Sequence, residues 1–152
     1  MRPKVLSLCS YIVLAFSLLF LAIIYQQITP TIPLHYGIVG EANSWGAKNN
    51  LWYLAIGGIV VNVGLTLLTK RPDLYNYPCK VTDNNRDRIY AASTQVVASL
   101  QLTTTLILAF VIVMMALSVE RIPRLIYALL LLSPFVNLVW GIRKVLKAGK
   151  EN

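Results

Sequence analysis

The chain has 152 residues, 57% of them apolar and 13% charged, with a formal net charge of +8. Soluble domains carry roughly 25% charged residues, which argues against a water-soluble globule, and the disordered, collagen-like and disulfide-rich classes are excluded. The apolar excess falls in four long runs, and nearly all the charge lies in the segments between them.

A hydrocarbon core of roughly 30 Å takes about 20 apolar residues in a helix, because no water is there to pair with exposed backbone groups. The sequence meets that length four times and predicts helices over about 5–25, 51–69, 83–117 and 124–146. The expected fold class is therefore all-α: a single four-helix transmembrane domain spanning 1–152, a polytopic membrane protein with an ordered outer loop at 26–50 and an inner loop at 70–82. Arg2 and Lys4 precede the first run, as in a signal peptide. That run exceeds the roughly 7 to 15 residues of a signal core and lacks a small-residue cleavage site, so it reads as a retained helix.

The outer loop has the composition of an ordered cap. Pro30 and Pro33 each fix a backbone angle, and Gly37, Gly40 and Gly46 permit turns that other residues resist. Trp45, Trp52 and Tyr53 suit a membrane interface, where an amphipathic ring meets apolar and wet surroundings at once. His35 is the sole histidine. With Glu41 it is a candidate for a proton-sensitive contact, but one imidazole and one carboxylate make no metal site, and the plainer reading is a hydrogen-bond partner of the loop backbone. Lys48 either pairs with Glu41, binds a carboxylate or lipid phosphate, or snorkels from the helix end.

Pro72 and Pro78 separate helix two from helix three, and Thr82 or Asp83 is the expected N-cap of helix three. Arg86 and Arg88 then sit at lipid headgroups, where a basic side chain gains roughly 1 kcal/mol from anionic lipid. Within the spans, small and polar residues favour close helix packing. Asn62, Gln101 and Asn137 fall at similar depths, on the order of 7 to 12 Å into the core at 1.5 Å per residue. Gln95 starts a stripe continued by Ser99 and Thr103. This polar set is either interhelical glue or the lining of a path, and it has no acidic, basic or imidazole group to carry protons.

The basic residues give an orientation. Lys48, Arg121 and Arg124 stand on one side and the remaining eleven of the 14 lysines and arginines on the other. Because basic residues accumulate in short cytoplasmic loops, both termini are expected in the cytoplasm of a multi-pass inner or plasma membrane protein. The split of the basic residues over three segments argues against nucleic-acid binding. Cys9 and Cys79 both fall on the reducing side, where a structural disulfide is not expected.

The pattern Pro30-x-x-Pro33-x-His35, then Gly40, then Asn43-x-Trp45-Gly46-x-Lys48 resembles the domain of unknown function at the start of SdpI-type immunity membrane proteins. The likeness extends through Asn76-Tyr77-Pro78 and the stretch from Asn85 to Tyr90. It implies a bacterial envelope protein protecting against a membrane-active peptide.

No catalytic constellation and no cofactor site can be assembled from these residues, so the chain is expected not to be an enzyme. The leading reading is a non-catalytic membrane protein, surrounded by the lipid bilayer, that recognises a peptide, lipid or protein partner through its outer loop. Tyr36, Trp45 and Trp52 would supply apolar contact, His35 and Glu41 polar contact, and Lys48 an anionic anchor. The alternatives are an accessory or assembly subunit of a larger membrane complex, and a small transporter working through Asn62 or Asn137.

Overall fold

The computed structural model describes residues 2–150. Helix α1 (Pro3–Ile24) ends in a single 3-10 turn, Tyr25–Gln27. The strands β1 (Thr31–Tyr36) and β2 (Ala42–Ala47) follow, then α2 (Asn50–Thr69), a second 3-10 turn (Pro72–Leu74), α3 (Arg86–Ala116) and α4 (Arg124–Lys150). All four helices are long and apolar enough to cross a membrane. The expected class holds, with one addition: the ordered loop is a two-stranded antiparallel hairpin.

Burial is inverted relative to a soluble bundle. Phe16, Ile23, Val60, Leu129 and Phe135 are exposed, while Ser10, Asn62, Gln101 and Thr105 are buried. Lipid solvates apolar side chains as well as a protein interior does, so polar and small residues hold the helices together. Helix α3 is the central post, packed against α1, α2 and α4. Gly58 admits the Leu108 side chain, which an added Cβ would strike, and Gly141 sits against Val96 in the same way. Helix α4 buries much less of its span than the other three.

Two apolar clusters close the ends. At the hairpin end Leu21, Ile32, Leu51, Ile112 and Ile122 pack together, each fully buried. At the other end Ile89, Ala92 and Val145 pack with Tyr77 and Cys79. Helix α3 starts at Arg86, three residues later than the expected 83, because residues 83–85 form a turn. Asn85 is the N-cap, and its Oδ1 accepts from the Thr82 backbone N–H at 2.8 Å. Helix α4 continues to Lys150, four residues beyond the expected end, and passes through Pro134. A proline deprives the carbonyl four residues earlier of its donor; here Ser133 Oγ donates to that carbonyl, Leu130 O, at 2.8 Å.

Candidate functional site

The hairpin is held onto the bundle by five straps. Lys48 directs its ammonium back under the hairpin, donating to Tyr25 O at 3.1 Å and Ile28 O at 3.2 Å, and lies 4.8 Å from the Tyr25 ring centroid. It thus satisfies carbonyls that the end of α1 leaves without intrahelical partners, where a cation also complements the helix dipole. Tyr25 in turn donates to Asn49 Oδ1 at 2.6 Å and packs against Trp52.

The other straps reach the connection between α3 and α4 and the first turn of α4. Tyr36 donates to Val119 O at 2.9 Å, and Tyr127 donates to Tyr36 O at 3.1 Å. Burial pushes the Tyr36 phenol above its ordinary pKa. Glu41 and Arg121 form an ion pair and an antiparallel bridge, with the backbone bonds Ala42 N to Glu120 O and Ile122 N to Gly40 O, both 2.8 Å. Gly40 has φ +82°, and a Cβ there would lie 2.7 Å from Ile122 O, so this crossing requires glycine. Finally, Thr29 and Ser118 share a 3.0 Å hydroxyl contact.

Ser118 closes α3. It has φ 51°, with Ser118 N bonded to Met115 O and Val119 N to Met114 O, both at 3.0 Å. These are the two bonds of a Schellman cap, built here with serine where glycine is usual.

What remains outward-facing is the hairpin tip and one strand. Ile38 is 93% exposed, and Val39 and Trp45 are also exposed. The sheet has two strands, so beyond its bridge at Glu41 the outer edge of β2 carries no paired strand among the described residues. The sequence-derived residues therefore divide. Trp45 lies on the exposed face; Tyr36, Lys48 and the half-buried Trp52 form the scaffold. Lys48 takes backbone carbonyls, and the carboxylate of Glu41 goes to Arg121. His35 Nδ1 is 2.6 Å from Asn43 Oδ1 across the hairpin, a side-chain partner where a backbone one was expected.

The intramembrane polar residues form two groups. Gln101 Nε2 donates to Asn62 Oδ1 at 2.8 Å and is 3.0 Å from Thr66 Oγ1; Asn62 Nδ2 donates to Thr105 Oγ1 at 2.6 Å. Ser7 donates to Gln101 Oε1 at 2.9 Å, which ties α1 into the same network. Asn137 does not join it. Its Nδ2 is 2.8 Å from Ser99 Oγ and 3.0 Å from Thr103 Oγ1, between α4 and α3, and its buried Oδ1 has no partner among the described residues. Depth along the axis is common to all three amides; helical phase separates them. Gln95 pairs with Lys144, whose ammonium also lies 4.8 Å from the Trp140 ring centroid. Arg86 pairs with Asp83 at 2.6 Å, and both Arg86 and Arg88 are exposed on the first turn of α3.

Sequence reading missed Arg121, Tyr127, Tyr25 and Ser118. Arg121 had a legible signal: it and Glu41 are opposite charges in two loops at the same end of the bundle. The hydroxyl donors had none.

No group of three or more metal-ligating side chains exists among the described residues. No curated protein and no solved structure matches the chain. Residues 12–59, which run from within α1 through the hairpin into α2, match the family described as Domain of unknown function (DUF1648), and over this stretch the likeness read from the proline-, tryptophan- and lysine-bearing loop holds.

Proposed function

We propose that the chain is a non-catalytic membrane receptor whose strapped hairpin, on the extracytoplasmic side, recognises a peptide in extended conformation. The observation that carries this reading is the contrast within the hairpin. It is tied to the bundle at five points, through Lys48, Tyr36, Tyr127, the Glu41–Arg121 pair and Thr29, while Ile38, Val39, Trp45 and the unpaired edge of β2 are left outward. An open strand edge offers backbone hydrogen bonds to an added strand, and flanking apolar side chains supply specificity. The excess of basic residues at the other end of the bundle supports cytoplasmic termini. The SdpI-type resemblance supports a membrane-active peptide as the partner and immunity to it as the role.

A photo-crosslinking side chain at Trp45 in intact cells tests this. A discrete peptide or protein adduct is expected, lost in the Ile38→Ala background. Adducts to lipid alone, or an adduct insensitive to the tip, would overturn it.

A second reading, an accessory subunit, is favoured by one feature: α4 presents exposed Leu125, Leu129 and Phe135 along its length and the unpartnered Asn137 Oδ1 beside α3. A stoichiometric partner retained through gentle detergent purification, and released by Asn137→Leu, would select it. The transporter reading gains nothing from Asn62, whose amide is engaged with Thr105 and Gln101.

A further inference from the structure

At the end of the bundle away from the hairpin, a groove of about 700 Å³ opens between the start of α1, the end of α2 and the flank of α3. Its charged residues are Arg2, Lys4 and Lys70, and no acidic side chain lines it. Nearby cations are neutralised: Arg71 pairs with Asp73 at 2.9 Å and Arg86 with Asp83 at 2.6 Å. None of the three groove cations has an ion-pair partner among the described residues. Three like charges gathered around one concavity repel one another, and an anion seated between them removes that cost.

We propose that this groove binds the phosphate of an anionic phospholipid, with Arg2, Lys4 and Lys70 around the headgroup and an acyl chain against α1. Three features select a lipid over a soluble anion. The groove lies where the spans end, at the level of lipid phosphates. Its wall includes Leu8, 59% exposed, which begins an exposed apolar row continued by Ile12 and Phe16. Its volume is far larger than one phosphate needs and lies within the range of sites that enclose a small organic molecule.

The hydroxyls refine the headgroup. Ser7 donates to Gln101 Oε1 at 2.9 Å and Thr69 donates to Thr66 O at 2.7 Å. With their protons held by Gln101 and by the backbone of α2, both oxygens keep lone pairs free to accept. A headgroup that carries donors of its own beside the phosphate, as glycerol does, satisfies them.

The full chain in neutral detergent, titrated with short-chain phosphatidylglycerol and read by native mass spectrometry, tests the proposal. Saturable binding of one lipid is expected. Removing a cation should weaken it about fivefold, so Lys70→Gln gives about fivefold and the Arg2→Gln, Lys4→Gln, Lys70→Gln triple variant about 100-fold. A control triple, Lys80→Gln, Lys147→Gln, Lys150→Gln, removes equal charge from the same end and should change affinity less than threefold. Equal losses in both triples would mean diffuse attraction to anionic lipid and overturn the site. Inorganic phosphate occupying the groove as tightly as the lipid would also overturn the lipid assignment. The single Lys70→Gln variant, exposed and unpaired, keeps the test valid should the triple not fold.

Discussion

Gln101 on α3 donates a 2.8 Å hydrogen bond to Asn62 Oδ1 on α2, and this pair organises the middle of the bundle between its two apolar ends. Both residues are almost fully buried. Through Ser7 the glutamine reaches α1, and through Thr105 the asparagine returns to α3. In lipid the association of helices receives little help from apolar burial, so such a pair sets which faces meet.

Gln101→Leu keeps the volume and strands Asn62 Oδ1 and the Ser7 hydroxyl. An unmet buried polar group costs about 1–3 kcal/mol, so a loss of about 2 kcal/mol is expected in equilibrium unfolding from mixed micelles. Combining it with Asn62→Leu should recover part of that loss, with a coupling of about 1 kcal/mol. Strictly additive losses would show that the two amides act independently.

Lys48→Met retains the aliphatic stem and removes the ammonium from Tyr25 O, Ile28 O and the Tyr25 ring. Hydrogen bonds from a charged donor contribute about 1.5–3 kcal/mol, and this part-buried group makes two while remaining partly hydrated. A loss of about 2 kcal/mol is expected, concentrated in the hairpin. Hydrogen exchange should rise over residues 25–48 and stay unchanged in the middle of α3; uniform protection would remove Lys48 from the strap.

The spans were legible because their signal is additive: some 20 apolar residues in a row fix a helix whatever packs on it. The hairpin was legible only as order. β1 contains Pro33, a residue that ordinarily speaks against a strand. Here Pro33 lies opposite Trp45 in a two-stranded sheet, where each strand has a free edge, and the register slips directly after it, between Pro33 and His35. The slip hides the alternation of side chains on which a strand assignment rests. Lys48 was legible as a special residue and its partners were not, since backbone carbonyls have no sequence signature. Glu41 and Arg121 are separated by 80 positions, and Asn137 shares a depth with Gln101 without sharing a face. Contacts of that kind depend on the rotation of whole helices, which four apolar runs leave undetermined.

Ser118 sits at the left-handed position of the α3 cap, where a non-glycine residue costs roughly 1–2 kcal/mol. Ser118→Gly removes that strain and loses the 3.0 Å contact to Thr29, an exposed bond of about 0.5 kcal/mol. A net gain of about 0.5–1 kcal/mol is expected. Gly40→Ala has the opposite sign: it adds left-handed strain and places a methyl 2.7 Å from Ile122 O, for a loss of about 2 kcal/mol or more. If both changes leave the unfolding midpoint where it was, the junction between the hairpin and the α3–α4 turn is not formed as described.

Tyr75 lies in the connection between α2 and α3 and donates to Leu68 O at 2.8 Å. Burial, assisted by the neighbouring Tyr77, pushes its phenol up to about 12. A phenolate there would turn a full charge toward a carbonyl oxygen at a site partly shielded from water. The folded state thus holds this proton more tightly than the unfolded chain, whose tyrosines titrate near 10. The resulting stabilisation is complete below pH 10, declines as the pH rises above it and is gone beyond about 12. Asp73, outside the spans, has the opposite sign: the Arg71 guanidinium holds its carboxyl below the ordinary range, so its contribution fades on acidification. Ultraviolet titration of phenolate absorbance separates Tyr75 from the other tyrosines. The difference between the parent and Tyr75→Phe should be centred near pH 12, with stability falling less steeply between pH 10 and 12 in the variant. A difference centred near pH 10 would place this hydroxyl in open water, away from Leu68.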